Sequence, residues 1–252
     1  MNEQLTAGRI GETYIEESVR TPIVRTVGLK KTYGIGGPNP VTVLKGVDLE
    51  VYPGEFVAII GQSGSGKSTL LNILGALDKP TEGEVWIGGV NSATLDSNGL
   101  SELRSRTIGF IFQFHYLLDE FNVLENALMP ITIRKGRPSR EETDHARALL
   151  ERVGLTDHLR KHPNQLSGGQ QQRNSIVRAL VNRPSLILAD EPTGNLDSKS
   201  GQEVFAMMRE MNRETGVAFV MITHDQRLAD SADRILRMED GVLTEMPHIT
   251  NN

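Results

Sequence analysis

At residues 56–68 the chain reads Phe56-Val57-Ala58-Ile59-Ile60-Gly61-Gln62-Ser63-Gly64-Ser65-Gly66-Lys67-Ser68, an apolar run that leads directly into a glycine-rich segment. An apolar run of this length is typical of a β-strand that is buried on both faces of a sheet. The residues from Lys67 to about Leu77 predict a helix. A strand, a glycine-rich loop and a helix in this order indicate an α/β fold with a phosphate-binding loop.

The glycine-rich loop supplies the groups that a nucleotide needs. Its glycines let main-chain N–H groups turn towards a phosphate, and the following helix adds the positive end of its dipole. Lys67 would reach the β- and γ-phosphates, and the Ser68 hydroxyl would ligate Mg²⁺. The loop therefore predicts a site for a nucleoside triphosphate together with Mg²⁺.

A second apolar run, Leu186-Ile187-Leu188-Ala189, ends in Asp190 and Glu191. Ligands of α/β sheets lie at the carboxyl ends of the strands. We expect Asp190 to hold Mg²⁺ through its hydration shell and Glu191 to orient and deprotonate an attacking water. Alone, two acids after a strand could equally be an ordinary capping pair. After a phosphate-binding loop on the same chain, they indicate nucleotide hydrolysis.

About 105 residues after Gly61 the chain reads Leu166-Ser167-Gly168-Gly169-Gln170. Ser167 is placed to cap a helix that extends to about Val181, and the two glycines leave N–H groups exposed at its positive end. This segment predicts a second anion site, one without a lysine. If the two anion sites lie far apart on the fold, one chain cannot use both on the same γ-phosphate. Two copies that face each other head to tail would bring them together.

Composition limits the remaining possibilities. The 252 residues, 38% hydrophobic and 23% charged, suit a globular protein with one core, and leave room for a smaller subdomain. A net charge of −5 argues against nucleic acid as a partner, and the lack of cysteine excludes disulfides and thiolate chemistry. No apolar run approaches the roughly 20 residues that cross a bilayer. The polar N-terminus has no signal-peptide pattern, so we expect a cytoplasmic protein that a partner must hold at any membrane.

The pattern along the chain predicts a single domain at residues 21–247. A flexible extension at 1–20 would precede it, and a short tail at 248–252 would follow. Buried strands are expected at 56–60, 108–112, 186–189 and 218–222, with a terminal pair of strands near Ile235 and Val242. A helical insert at about 114–165 would contain one short helix near 123–128 and a longer helix from Ser139 to Val153, opened by a capping box of Ser139 and Glu142.

The ordered motifs resemble those of the nucleotide-binding subunits of ATP-binding cassette (ABC) transporters, over residues 23–246. Residues 190–193 and 194–197 are similar to the family's Walker B and D-loop segments. Gln113 matches the Q-loop glutamine, His224 matches the switch histidine that contacts the γ-phosphate, and Tyr33 is placed like the aromatic residue that stacks on adenine. The resemblance implies a RecA-like mixed sheet, an antiparallel β edge subdomain and a helical subdomain that ends in the signature helix 167–181.

The same resemblance implies an ATPase, with catalytic roles for Lys67, Gln113, Glu191 and His224. It implies Mg²⁺ ligands at Ser68, Gln113 and Asp190. The residues that it implies for ATP binding are Tyr33, Gly61, Gln62, Ser63, Gly64, Ser65, Gly66, Lys67, Ser68, Thr69, Ser167, Gly168, Gly169, Gln170 and Asp197.

A narrower resemblance points to the lipoprotein-release and macrolide-exporter branch of the family, the LolD- and MacB-like proteins. It rests on residues 76–81, 113–118, 124–126 and 193–197. In that branch the permease transmits force across the bilayer and does not pass its substrate through a channel. The pair Phe114-His115 favours the lipoprotein-release type. One departure is Asn174-Ser175, where the family usually has small apolar residues. This departure affects the assignment to a branch of the family and does not affect the expectation of ATP binding.

We therefore expect the ATP-hydrolysing subunit of a transporter, working as a homodimer on integral-membrane permease subunits at the inner face of the cell membrane. Two alternatives stay open: a soluble ABC ATPase for cofactor assembly, and a division-linked regulator that signals across the membrane. Chromosome and repair ATPases are excluded because long coiled coils separate their nucleotide motifs, and this chain has no heptads between them. Translation-associated relatives usually carry two cassettes, and this chain has one.

Overall fold

The computed structural model describes residues 20–247, so the predicted extension (apart from Arg20) and the predicted tail lie outside the described residues. The strands are β1 (Val24–Tyr33), β2 (Val41–Val51), β3 (Phe56–Ile60), β4 (Glu82–Ile87), β5 (Val90–Asn91), β6 (Ile108–Phe112), β7 (Leu186–Asp190), β8 (Ala218–Ile222), β9 (Arg234–Glu239) and β10 (Val242–Glu245). The helices are α1 (Lys67–Leu74), α2 (Ser97–Thr107), α3 (Val123–Lys135), α4 (Arg140–Arg152), α5 (Gly168–Leu180), α6 (Ser198–Thr215) and α7 (Gln226–Ala229). In this part of the chain no helix combines the length and apolar character needed to cross a membrane.

The larger sheet has six strands in the order β10-β9-β3-β8-β7-β6. The strands from β9 to β6 are parallel, and β10 pairs with β9 in the antiparallel sense. Parallel neighbours end at the same edge of a sheet, so the segments that follow β3, β8, β7 and β6 come together at one edge. The order of the strands thus gathers four distant parts of the sequence.

Both faces of this sheet are buried, as the continuous apolar runs predicted. Alternate residues of β3 point to opposite faces: Phe56, Ala58 and Ile60 pack with α3, α5 and α6, whereas Val57 and Ile59 pack with α1 and the smaller sheet. The smaller sheet is antiparallel, with the order β2-β1-β4-β5. The expected class is confirmed: an α/β core with a mixed sheet, an antiparallel edge and a helical region.

The helical region follows the predicted pattern at α4 and α5. Ser139 caps α4 in a capping box with Glu142, and the apolar stripe of Ala146, Leu149 and Leu150 is buried. Helix α5 begins at Gly168 and ends at Leu180, within one residue of the predicted bounds.

Helix α3 corrects the prediction of a short helix at 123–128, because it continues past Pro130 to Lys135. A capping box of Asn122 and Glu125 starts the helix, and Ala127, Leu128 and Ile131 are buried along it. Burial of these side chains outweighs the hydrogen bond that proline removes.

Two further differences concern helix ends. Helix α1 stops at Leu74 rather than near Leu77, because Gly75 fits closely against the ring of Phe110 and Ala76 adopts a left-handed conformation with φ 51°. Helix α2 was not predicted, because its sequence is largely polar and Leu103 is its one buried residue. Its start is marked by Asp96, whose side chain accepts a hydrogen bond from the Gly99 N–H.

Candidate nucleotide site

The edge where the parallel strands end holds a cavity of about 540 Å³. It brings together most of the predicted nucleotide-site residues, although they come from four separate segments. Its lining consists of Val43, Gly61, Ser63, Gly64, Gly66, Lys67, Ser68, Thr69, Gln113, Asp190, Glu191, Ile222 and His224. Gln62 and Ser65 belong to the same loop and line a neighbouring cavity of about 420 Å³ towards β9.

The loop between β3 and α1 is held by the Lys67 side chain on one side and by β9 and the β9–β10 turn on the other. The Lys67 ammonium group donates hydrogen bonds to the carbonyl oxygens of Gly61 at 2.8 Å and Gln62 at 2.7 Å. A Cβ atom at Gly61 would collide with the Met238 carbonyl oxygen of β9. The Gly241 N–H, in the β9–β10 turn, donates to the Ser65 carbonyl oxygen at 3.0 Å. The C-terminal hairpin therefore supports the back of the phosphate-binding loop.

Glu191 is held in place by β8 and the segment directly after it. Its N–H donates to the Ile222 carbonyl oxygen at 3.0 Å, and its Oε2 lies 2.8 Å from His224 Nδ1. The backbone of Glu191 is left-handed, with φ 45°, a conformation that costs a non-glycine residue about 1–3 kcal/mol. Its carboxylate is 19% exposed and the His224 ring is 72% exposed, so the histidine can move away without unpacking the core.

Gln113 is paired with Asn195, to which the sequence assigned no role of its own. Asn195 Nδ2 donates to the Gln113 carbonyl oxygen at 3.1 Å, and Asn195 Oδ1 accepts from Gln113 Nε2 at 3.0 Å. Because a carbonyl oxygen only accepts, these two bonds fix the orientation of both amides. Gln113 Oε1 is therefore the amide atom that can face a cation.

The donors near the loop suit Mg²⁺, which prefers oxygen ligands. They are the Ser68 hydroxyl, the Gln113 amide oxygen and the Asp190 carboxylate. Burial, and then the charge of Glu191, raise the pKa of Asp190, while Lys67 opposes this shift. Within residues 20–247 no group of three or more His, Asp or Glu side chains could hold a metal alone. A Mg²⁺ ion here would take its remaining ligands from phosphate and water.

The signature segment lies apart from this cavity. Ser167 caps α5: its Oγ accepts from the Gln170 N–H at 3.3 Å, and Gln170 Oε1 accepts from the Ser167 N–H at 3.0 Å. Among the described residues that line the cavity, none comes from 167–170. One chain thus presents its two predicted anion sites at separate places.

The first turn of α5 lies beside the D-loop. A Cβ atom at Gly168 would come 3.4 Å from Leu196, and one at Gly169 would come 3.6 Å from Ser200. Asp197 caps α6 by accepting from the N–H groups of residues 199 and 200. A side-chain hydrogen bond with Ser200, and then the hydrogen bonds from these N–H groups, lower the pKa of Asp197. Asp197 also lines a small cavity that includes His224, so the D-loop lies between the signature segment and His224.

Tyr33 lies at the end of β1 and is exposed, and it does not line the cavity. Its hydroxyl donates to Asp78 at 2.9 Å, and the Lys31 ammonium group lies 4.8 Å from its ring centre. Burial, and then the hydrogen bond to Asp78, raise its pKa, while a hydrogen bond with Thr69 opposes this shift. The bond to Thr69 puts Tyr33 beside the loop, and adenine stacking stays a prediction.

Three buried or partly buried side chains that hold the segment after β6 had no predicted role. They are Gln172 and Arg178 of α5 and Asn126 of α3. Asn126 is fully buried, accepts from the Leu118 N–H and donates to carbonyl oxygens of the same loop. The sequence signal for such residues is a long polar side chain at a helix position that faces the core, and it is visible only once the helix is placed.

Comparisons with known proteins agree with this architecture. A family model described as "ABC transporter" matches residues 44–194. The lipoprotein-releasing system ATP-binding protein LolD of Anaeromyxobacter dehalogenans is 50% identical over 233 residues, which cover 92% of this chain and 97% of that protein. The macrolide export ATP-binding/permease protein MacB of Rhodopirellula baltica is 47% identical over 224 residues, which cover 88% of this chain but 33% of that protein.

Solved structures give the same result. A dimeric ATP-binding cassette in a post-hydrolysis state, bound to ADP and phosphate, is 43% identical and superposes with a TM-score of 0.80. The match covers 89% of this chain and 98% of that one. The motif order, the strand order and these similarities lead to one conclusion. The chain belongs to the ABC transporter family, as one of its ATP-binding and ATP-hydrolysing subunits.

Proposed function

We propose that this ATPase works as a head-to-tail homodimer and powers a membrane permease that releases lipoproteins from the inner membrane. The observation that carries the proposal is the match to LolD, which extends over 97% of that protein at 50% identity. Macrolide export is the second candidate, supported by the 47% identity to MacB. These similarities do not favour the assembly-type and division-linked alternatives.

The dimer follows from the separation of the two anion sites. The phosphate-binding loop lines the cavity beside Lys67, whereas residues 167–170, at the start of α5, do not line it. In a head-to-tail dimer each signature segment would close over the γ-phosphate bound by its partner. The dimeric cassette with 43% identity supports this arrangement. Each of the two sites would then contain parts of both chains.

Within each site, positioning and charge would do most of the catalysis. Lys67 and the N–H groups of residues 61–69 would bind the β- and γ-phosphates. Ser68, Asp190 and Gln113 Oε1 would hold Mg²⁺, which when bound neutralises charge on the phosphate oxygens.

Glu191 would take a proton from the attacking water, which requires its carboxylate to be within hydrogen-bond reach of that water. The exposed His224 ring would support the γ-phosphate. Its bond to Glu191 Oε2 keeps the carboxylate turned towards the cavity. Asp197 would meet the partner chain, and Tyr33 would stack on adenine.

The surface for the permease is the segment directly after Gln113. Phe114 and Tyr116 are 61% and 64% exposed, and Leu118 and Phe121 are exposed beside them. Large apolar side chains that are exposed together mark a surface for a partner. A cytoplasmic segment of the permease would bind these side chains and hold the ATPase at the inner face of the membrane. Movement of this segment would reach the Mg²⁺ site through Gln113.

The partner is tested by affinity purification of the Glu191→Gln chain with ATP from detergent-solubilised membranes, followed by mass spectrometry. We expect a polytopic permease with a large extracytoplasmic domain. The matched control is Glu191→Gln combined with Ser167→Arg, which should bind ATP but not form the closed dimer. Recovery of soluble partners alone, with the chain absent from the membrane fraction, would favour the assembly-type ATPase.

The cargo is tested by reconstituting the recovered permease and the wild-type chain in liposomes that carry a labelled lipoprotein. Lipoprotein release is the loss of label from the vesicles, and we expect it only with hydrolysable ATP. The Glu191→Gln chain serves as the inactive control. Release of a labelled macrolide, with the lipoprotein retained, would replace lipoprotein release with export.

A further inference from the structure

Gln172, in the second turn of α5, is fully buried, and its side-chain amide makes three hydrogen bonds outside its own helix. Nε2 donates to the carbonyl oxygens of Phe112 at 3.2 Å and Pro192 at 2.6 Å. Oε1 lies 2.7 Å from His115 Nδ1. Because both carbonyl oxygens only accept, the amide has one possible orientation, and His115 must donate its Nδ1–H to Oε1.

The two carbonyl groups belong to the segments that carry the chemistry. Phe112 directly precedes Gln113, and Pro192 directly follows Glu191. One side-chain amide of the signature helix therefore bridges the chain next to the Mg²⁺-facing glutamine and the chain next to the catalytic carboxylate. A 1 Å displacement of either segment would be large on the scale that catalysis tolerates.

A second side chain of α5 strengthens the same connection. Arg178 donates to the carbonyl oxygens of His115 and Tyr116, both at 2.6 Å. Hydrogen bonds from two positions along α5, Gln172 and Arg178, thus hold the segment that would face the permease. Of these two side chains of α5, Gln172 is the one that contacts both segments, which the Gln113–Asn195 pair also connects.

We propose that Gln172 is a positioning residue that links the two ATP sites of the dimer. The proposal rests on the head-to-tail dimer of the proposed function. In that dimer, residues 167–170 bind the partner's ATP, whereas Gln113 and Glu191 act on the ATP of their own chain. Gln172 follows the signature segment by two residues on the same rigid helix. Engagement of the signature segment at one site therefore moves or steadies the catalytic groups of the other.

The test compares Gln172→Met with Gln171→Met. Gln171 is a matched control because it lies on the same helix and its Nε2 also donates to two carbonyl oxygens, those of Pro163 and Leu166. Its partners lie on the segment just before α5, so its loss leaves the link to Phe112 and Pro192 intact. Both variants are measured for ATP hydrolysis against ATP concentration, for ATP binding by the monomer, and for thermal melting.

For Gln172→Met we expect kcat to fall about 10- to 100-fold, as for a small misplacement of catalytic groups. The Hill coefficient should fall from near 2, its ceiling for two sites, to about 1. ATP affinity of the monomer should stay within about twofold, because the phosphate-binding loop is untouched. Gln171→Met should keep the Hill coefficient of the wild type even if its melting temperature falls.

Equal losses of kcat and cooperativity in the two variants would overturn the proposal, because general damage to α5 would then explain both. A Gln172→Met dimer with wild-type kcat and Hill coefficient would overturn it as well. If Gln172→Met does not fold, Gln172→Glu takes its place. The glutamate side chain has nearly the same volume and can still accept the hydrogen bond from His115. Its second oxygen, however, would face the carbonyl oxygens of Phe112 and Pro192, so we expect the same fall in kcat and in the Hill coefficient. A wild-type chain that neither dimerises with ATP nor hydrolyses it cooperatively would instead contradict the proposed function.

Discussion

Replacing Ser175 with alanine should make the protein more stable, although the serine lies in the middle of the signature helix. The side chain is 0% exposed, and its hydroxyl has no hydrogen-bond partner among the described residues. Neighbouring Asn174 is also fully buried, with both amide atoms unpartnered, but its truncation would open a larger void. Ser175 is the cleaner test because alanine keeps the Cβ atom.

The expected gain is the difference between two favourable effects and one unfavourable effect. An unpartnered buried hydroxyl costs about 1–3 kcal/mol. Alanine also favours a helix interior over serine by about 0.5 kcal/mol. A void the size of one oxygen atom, roughly 15 Å³, costs about 0.4 kcal/mol at about 24 cal/mol per Å³. The free energy of unfolding should therefore rise by about 1–3 kcal/mol, and the melting temperature by roughly 2–12 °C for a domain of this size.

Thermal and urea denaturation of the nucleotide-free monomer measure this change. Ser101→Ala is the control, because Ser101 is exposed on α2 and its replacement supplies only the helix preference. That control should raise the melting temperature by about 1–2 °C. If Ser175→Ala melts at or below the temperature of Ser101→Ala, the buried hydroxyl is not a source of instability and the reasoning fails.

The remaining predictions concern the ATP site. Glu191→Gln should lower the rate of ATP hydrolysis about 10²- to 10⁴-fold with ATP affinity unchanged, and normal turnover in a phosphate-release assay would remove Glu191 as the base. Lys67→Ala should abolish ATP binding in calorimetry, since the loop loses the cation that meets the β- and γ-phosphates; wild-type affinity would contradict the loop's role. Ser167→Arg should leave monomer binding intact yet prevent ATP-driven dimerisation, so dimers seen by light scattering would refute the shared site. Gly194→Ala would bring a Cβ atom to 3.0 Å from Gln113 Nε2 and displace that side chain. We therefore expect weaker Mg²⁺ binding, so that half-maximal hydrolysis needs more Mg²⁺ at unchanged ATP affinity. An unchanged Mg²⁺ titration would count against the Gln113 assignment.

The parts of the fold that the sequence predicts are those where one interaction dominates. The run 56–60 is apolar throughout and short, and it lies between Pro53-Gly54 and the glycine-rich loop, which favours a strand buried on both faces. The capping box of Ser139 and Glu142 is a local signal and marked the start of α4 correctly. Helix α3 was underestimated because Pro130 is unfavourable locally, while burial of Ile131 and its neighbours depends on distant residues.

The candidate site divides in the same way. The residues at the ends of strands, such as Asp190, follow from the strand pattern together with the rule that ligands lie at the carboxyl edge. The roles of Gln113, His224 and Tyr33 came from the family resemblance, since a single glutamine or histidine carries no pattern. The pairing of Gln113 with Asn195 and the bridge made by Gln172 join residues far apart in sequence, so no local signal could have predicted them.

The support of the phosphate-binding loop by the C-terminal hairpin has a consequence for how the protein is made. Strand β3 pairs with β9, whose first residue follows Phe56 by about 180 residues, and Gly241 completes the support behind Ser65. At about 5–20 residues per second, translation would separate the two by roughly 10–35 s. A nascent chain therefore cannot hold the loop in its finished shape until almost all of the domain has left the ribosome. We therefore expect a ribosome-bound chain that still lacks this hairpin to bind ATP more weakly than the released protein.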